Sequence, residues 1–222
     1  MSRLGLRWAL AFVFRARGAA KSSAGVAAGS FTLAMVCMLM LSACDFGTGK
    51  PKFNHIDVTG AEFGRNFELT AADGKSRSLA DFKGKLIVVF FGFTQCPDVC
   101  PTTLAAMAQA VKKLGADGDR VQVVFITVDP ERDSPAVLAQ YVPAFDPRFI
   151  GLYGNAEQTA KTAREFKVFY EKVPGRSATS YSVDHTAASY VFDTAGKLRL
   201  FVKHDQPVDW LVADMKTLLA TR

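Results

Sequence analysis

The chain has 222 residues, enough for one sizeable core, and its 27 basic against 21 acidic residues give a formal net charge of +6. An excess of that size suggests an anionic partner, but five of the cations (Arg3, Arg7, Arg15, Arg17, Lys21) lie in residues 1–43, which hold no carboxylate. Setting those five aside leaves 22 basic residues against 21 acidic ones, a near balance that removes the main electrostatic support for nucleic-acid binding.

Residues 24–43 form an apolar run preceded by the basic segment Arg15–Lys21, the order of a targeting segment. The run is also about long enough to span a bilayer, which takes ~20 apolar residues. It ends in Leu41-Ser42-Ala43-Cys44, which resembles the bacterial lipobox, whose cysteine is lipidated and becomes the first residue of the mature protein. An uncleaved membrane anchor is the alternative. Either way the remaining chain is expected outside the cytoplasm and tied to a membrane. The expected division is a signal peptide over 1–43, a tether over 44–60 and one domain over 61–222. His55 is expected to be a solvated loop residue of that tether.

Phe67–Thr70 alternates like a strand, and Asp73-Gly74 marks a hairpin turn. Leu86–Phe93 is a continuous run rich in Val, Phe and Ile, the pattern of a central strand buried on both faces. It delivers Cys96 and Cys100, with Pro97 between them and Pro101 directly after. A proline suits the first turn of a helix, so a helix is expected over Thr102–Leu114 with Cys100 where it begins. That placement beside the positive end of a helix dipole is expected to lower the thiol pKa. A structural disulfide is the bland alternative, but a bridge between positions so close closes almost no loop and stabilises little. With Cys44 lipidated, the mature domain holds only these two cysteines. In an oxidising compartment they form a disulfide unless a reductant or a metal intervenes.

Val121–Val128 reads as a second buried strand, so strand, helix and strand argue for a right-handed crossover in an α/β sheet. Asp129 ends that strand on the same sheet edge as the cysteines and is placed to orient a ligand or a loop there. Glu131 and Arg132 read as solvated charges. Ser134-Pro135 reads as a cap and first turn of a helix to about Phe145. Phe149–Leu152 follows as a strand, then a helix over Ala156–Phe166 capped by Asn155. A hairpin turns at Pro174-Gly175-Arg176 and leads to Asp184-His185-Thr186. The strands Ser189–Asp193 and Leu198–Lys203 and a helix over Asp209–Leu219 close the chain. His204, with no context of its own, reads as a surface residue.

Three motifs stand in a recognisable order: Phe93-Thr94-Gln95-Cys96-Pro97-Asp98-Val99-Cys100-Pro101-Thr102, then Val128-Asp129-Pro130-Glu131-Arg132-Asp133-Ser134-Pro135, then Val183-Asp184-His185-Thr186. On these the chain closely resembles the Sco/SenC copper-chaperone family over about residues 60–220. The resemblance implies a thioredoxin-like α/β fold, a central mixed sheet flanked by helices with an inserted hairpin. It implies one copper ion, Cu(I) or Cu(II), with Cys96, Cys100 and His185 matching the family's ligands. Asp129 and Asp184 are the candidate supporting residues. The implied setting is the periplasmic face of a bacterial inner membrane, with a lipid anchor at Cys44. The implied partners are cytochrome c oxidase subunit II, or another copper-accepting protein, and a thiol reductant.

The residues themselves point the same way. Two thiolates and an imidazole suit copper, and Cu(I) favours soft sulfur. The spacing CxxxC is one residue wider than the CxxC of thiol oxidoreductases, and no proline stands between Gly175 and Gln206 to supply their usual cis-proline loop. Two other readings stay open: a membrane-tethered thiol reductase acting on a partner's cysteine pair, and a redox or copper sensor.

Overall fold

The computed structural model describes residues 51–175, 177 and 180–221; the leader and Cys44 lie outside them. In chain order the strands are β1 (Ile56–Asp57), β2 (Glu68–Ala71), β3 (Ser76–Ser78), β4 (Leu86–Gly92), β5 (Val121–Thr127), β6 (Ile150–Tyr153), β7 (Tyr170–Pro174), β8 (Tyr181–His185), β9 (Ala188–Phe192) and β10 (Leu198–Lys203). The helices are α1 (Val99–Lys113), α2 (Pro135–Tyr141), α3 (Ala156–Glu165) and α4 (Val208–Ala220). Among the described residues no helix is long and apolar enough to cross a membrane.

Eight strands form one mixed sheet in the order β1-β10-β9-β4-β5-β6-β2-β3, and β7 and β8 form a separate hairpin. β4 lies at the centre, parallel to β5 from Leu86↔Val121 through Gly92↔Thr127 and antiparallel to β9. Every residue of β4 and β5 is buried, as expected of strands covered on both faces. Side chains alternate along a strand, so β4 feeds two cores. Phe91 packs against Phe166 and Tyr190 on one face, with ring centroids 5.1 and 6.1 Å away. On the other face Val88 and Phe90 border a cavity of about 430 Å³ shared with Met107 of α1 and Leu211 of α4. Gly92 ends this second row, nearest the cysteines.

Local chemistry marks the element ends. At Asp73-Gly74 the β2–β3 hairpin turns with Gly74 at φ +78°, a conformation that costs a side-chain-free residue little. Ser134 caps α2 by accepting from the Val137 amide, with Pro135 in the first turn. Asn155 and Gln158 form a reciprocal capping box on α3. Two expected boundaries move. α1 starts at Val99, three residues before Thr102, because Pro101 is accommodated inside the first turn. α2 stops at Tyr141 instead of running to Phe145.

His55 departs furthest from its expectation. It is buried, not solvated, and its Nδ1 lies 2.8 Å from the Asp214 carboxylate of α4. The same carboxylate accepts from the Asn54 and His55 amides and from the Asn54 side chain. Its neighbours Ile56 and Asp57 pair with Phe201 and Leu200 of β10. The segment expected to be a tether is therefore pinned to the domain from Asn54 onward. The sequence reading missed this because the partner carboxylate lies about 160 positions away. Asp214→Ala strips these donors of their common acceptor. It is expected to lower stability by roughly 3 kcal/mol, read by urea unfolding, with amide protection lost first at Asn54 and His55.

Candidate metal centre

The site is assembled from three segments that meet at the carboxyl end of β4. The strand hands the chain to Phe93 and Thr94, the turn delivers Cys96, and the first turn of α1 carries Cys100. His185 ends β8, opposite Tyr170 in the hairpin. One donor atom from each of Cys96, Cys100 and His185 lies within 4.8 Å of the others. Cys100 Sγ stands 3.5 Å from His185 Nε2, and the Cys100 amide points at Cys96 Sγ, 3.4 Å away. Both cysteines are free thiols.

Two features make this convergence possible. Gly92 leaves room for sulfur: a Cβ there would lie 2.8 Å from Cys100 Sγ and 2.9 Å from the Phe125 ring. The imidazole is gripped edge-on by Phe90 and Phe93, whose centroids lie 6.1 and 5.9 Å from its own. His185 Nδ1 lies 3.2 Å from the Thr186 carbonyl. A proton on Nδ1 satisfies that contact and leaves the Nε2 lone pair facing the thiols.

The electrostatics correct one expectation. The helix terminus does not make Cys100 an acidic thiol. Burial pushes its pKa well above the usual thiol range, because the sulfur is fully enclosed and a thiolate there is stripped of water. Burial likewise holds His185 below its ordinary value, against smaller raising effects of the Thr186 carbonyl and Asp184. The imidazole is therefore neutral near pH 7, the form that donates to a metal.

Around the donors lies a buried polar frame. Asp133 accepts from the Thr94 amide at 3.0 Å, the Thr94 hydroxyl at 2.6 Å and the Thr127 hydroxyl at 2.6 Å. It thereby ties the start of the cysteine loop to the end of β5. Asp129 hydrogen-bonds neither cysteine nor His185; it accepts the Tyr181 hydroxyl at 2.9 Å and pairs with Arg132 Nε. Arg132 is not the solvated charge expected of it. Its side chain is 19% exposed. It donates to Gln95 Oε1 and the Tyr181 carbonyl, and its guanidinium lies 3.6 Å from the centre of the Tyr181 ring. Glu131 does stay at the surface, paired with Lys172. Asp184 is exposed on the outer side of β8 and touches His185 only through its charge. His204 lies outside the cluster, half-buried, with Nδ1 2.9 Å from the Thr103 hydroxyl.

The sequence reading missed Asp133 and Arg132. The signal was present in the run Asp129–Asp133, where a buried strand end is followed by alternating charges. Charges in a loop read as solvent-facing unless a partner is known, and here the partners come from the hairpin and the cysteine loop.

A mixed sheet with a two-thiol, one-imidazole cluster at the end of its central strand defines a thioredoxin-like domain able to hold a metal ion. Residues 57–220 match the SCO1/SenC family model, and the chain belongs to that family. It is 40% identical over 157 residues to "Protein SCO2 homolog, mitochondrial" of Mus musculus, a match spanning 70% of this chain and 62% of the mouse protein. A SCO2-like protein of Rickettsia felis is 39% identical, over 70% of this chain and 76% of that one. Among solved structures, copper-bound ScoI of Bradyrhizobium japonicum shares 39% identity with a TM-score of 0.63, covering 72% of this chain and all of that one. Apo Sco1 of Thermus thermophilus shares 42% identity with a TM-score of 0.69, covering 76% of this chain and 98% of that one.

Two measurements test the site as built. Gly92→Ala forces a methyl against Cys100 Sγ and Phe125. It is expected to cost about 1–3 kcal/mol in urea unfolding and to weaken metal uptake as well. The pH response of the metal-free protein follows from His185. Its folded pKa is depressed, so its contribution to stability is present above the ordinary histidine value and lost as pH falls through the depressed one. The Tm of the metal-free protein should therefore fall on acidification below about pH 6.5, and His185→Gln should flatten that part of the profile.

Proposed function

We propose that this chain is a membrane-tethered, extracytoplasmic copper-delivery protein that carries one copper ion between Cys96, Cys100 and His185. The observation that carries the reading is the convergence of two sulfurs and one imidazole nitrogen within 4.8 Å, with Cys100 buried and Cys96 and His185 half-buried. That donor set suits copper: the thiolates satisfy Cu(I), and the added nitrogen extends the site to Cu(II). Relatives with 39% and 28% identity are described with copper bound, from Bradyrhizobium japonicum and from yeast. The recipient in this reading is the dinuclear copper centre of cytochrome c oxidase subunit II, the role that the family resemblance implies. Tethering through Cys44 at the periplasmic face of the inner membrane completes the reading. It rests on the Leu41–Cys44 motif and on a relative described as a SCO1/SenC family lipoprotein from Bacillus anthracis.

The chain's own groups do three things toward the ion. The Thr186 carbonyl orients the imidazole so that Nε2 faces the sulfurs. Gly92 and the aromatic walls keep water from Cys100. Both thiols shed their protons as the ion is taken up, so binding needs reduced cysteines, and a Cys96–Cys100 disulfide blocks it.

Ordinary thiol exchange is the weaker reading, because an attacking cysteine works as an accessible thiolate. Cys100 is enclosed and its thiol is pushed up by burial, which leaves only the half-exposed Cys96 as an attacker, and the imidazole 3.5 Å from Cys100 Sγ has no part in such an exchange.

Copper titration of the full chain in both oxidation states, followed by oxidase activity in complemented cells, tests the reading. Cys96→Ser and Cys100→Ser are expected to weaken both states by more than the roughly 10–100-fold that losing an outer partner costs. His185→Ala should damage Cu(II) binding severely and Cu(I) binding less. His204→Ala should change neither. Oxidase assembly should fail with the first three variants, and Cys44→Ser should leave an unprocessed precursor. Full oxidase activity with His185→Ala would overturn copper delivery in favour of thiol exchange.

A further inference from the structure

The β7–β8 hairpin has two unlike faces. Alternation along its strands turns Tyr181, Val183 and His185 inward, where Val183 is buried and His185 joins the thiols. The outward set on β7 and the residue before it is Phe169, Glu171 and Val173, and on β8 it is Ser182 and Asp184, all exposed. Phe169 is 58% exposed and Val173 38%, two of the five large apolar side chains left open among the described residues. A single exposed apolar residue needs no explanation; Phe169 is singled out because it also walls the cleft that holds Cys96 and His185.

Phe169 is also held rigidly. Its amide donates to the Thr186 hydroxyl, and its carbonyl accepts from the Thr186 amide, which extends the hairpin ladder by one pair. It is thus mounted one position beyond His185. It shares with Cys96, Pro97 and His185 the walls of an open cleft of about 470 Å³.

The charges on the same face are unbalanced. Glu171 and Asp184 stand directly opposite each other in the antiparallel register. Among the described residues neither has an ion-pair partner; the nearby Lys172 is committed to Glu131. Like charges in that position cost the hairpin stability, and a cationic partner surface removes the cost.

We propose that this outer hairpin face is where a copper-exchanging protein docks. It inserts Phe169 into a shallow apolar pocket rimmed by lysine or arginine, which brings its own metal-binding side chains over the cleft. The inference rests on the copper-delivery reading. The occupant is an acceptor with that surface chemistry, and the probe is the soluble copper-centre domain of the oxidase subunit II.

The test measures association and copper transfer from the copper-loaded full chain to that domain at low and high ionic strength. Phe169→Ser should slow transfer roughly tenfold or more while copper stoichiometry stays at the wild-type value. Glu171→Lys should abolish the salt dependence of association, leave copper stoichiometry unchanged and raise hairpin stability by pairing with Asp184. Wild-type transfer and salt dependence in both variants would overturn the docking face. So would a binding footprint on another surface, or an acceptor that never associates with the copper-loaded chain. Failure of the wild-type chain to take up copper at all would instead strike the copper-delivery reading itself.

Discussion

One buried ion pair ties the two halves of the metal site together. The β7–β8 hairpin forms a sheet of its own. Just past His185 it is anchored to the central sheet, where the Ala187 carbonyl accepts from the His204 amide and Ala188 pairs with Lys203. The Asp129–Arg132 pair ties the other end of β8 to the cysteine loop. Asp129 is fully buried at the end of β5 and takes both the Arg132 guanidinium and the Tyr181 hydroxyl. Arg132 in turn holds Gln95, next to Cys96, and the Tyr181 carbonyl, at the start of the strand that ends in His185. One planar, multidentate cation thereby links the cysteine loop to the hairpin. A lysine presents a point charge and cannot hold the same fork of partners. Removing one member of such a pair leaves an uncompensated buried charge, a cost of about 3–5 kcal/mol.

The second constraint is dryness. Phe90, Phe93 and Phe125 surround the sulfur and the ring, and Gly92 lets the sulfur approach the strand. Exclusion of water raises the energy of a bare thiolate and of an imidazolium alike, so the metal-free site rests as a neutral thiol beside a neutral imidazole. A soft cation relieves what burial penalises, because the thiolate charge is then neutralised by a direct bond. The same enclosure that makes Cys100 a poor nucleophile makes it a good ligand. Helix-dipole arguments taken alone point the other way, and here desolvation is the larger effect.

Stability and function share the sheet and, on the Cys100 face, share Phe90, Gly92 and Phe93 as well. Phe91, Phe166 and Tyr190 build the core on the face of β4 opposite Cys100, while Asp214 closes the far side by binding Asn54 and His55. The hairpin joins the core through Val183, with Tyr170 and Tyr181 packed beside it. Its inner face completes the metal site and its outer face carries Phe169 and the Glu171–Asp184 pair. Exposed apolar groups and opposed like charges weaken an isolated hairpin, a weakness that the proposed docking would offset.

The sequence by itself determined the strand and helix order from β2 onward, and its motif resemblance picked out the three positions that converge. The reason is local: a β-branched and aromatic run can only be a buried strand, Pro101 and Pro135 can only open helices, and the thiols and imidazole carry their chemistry in their side chains. Cys96, Cys100 and His185 were legible because their motifs lie in short contiguous stretches. Tertiary structure alone decided which charges are buried. Arg132 reads as a surface residue until Asp129, Gln95 and Tyr181 close around it, and His55 reads as part of a tether until Asp214 arrives from α4. It also decided the sign of the Cys100 shift, since a helix start is visible in sequence and the depth of a sulfur is not. Burial and long-range pairing are properties of the packed chain, and no short window of residues contains them.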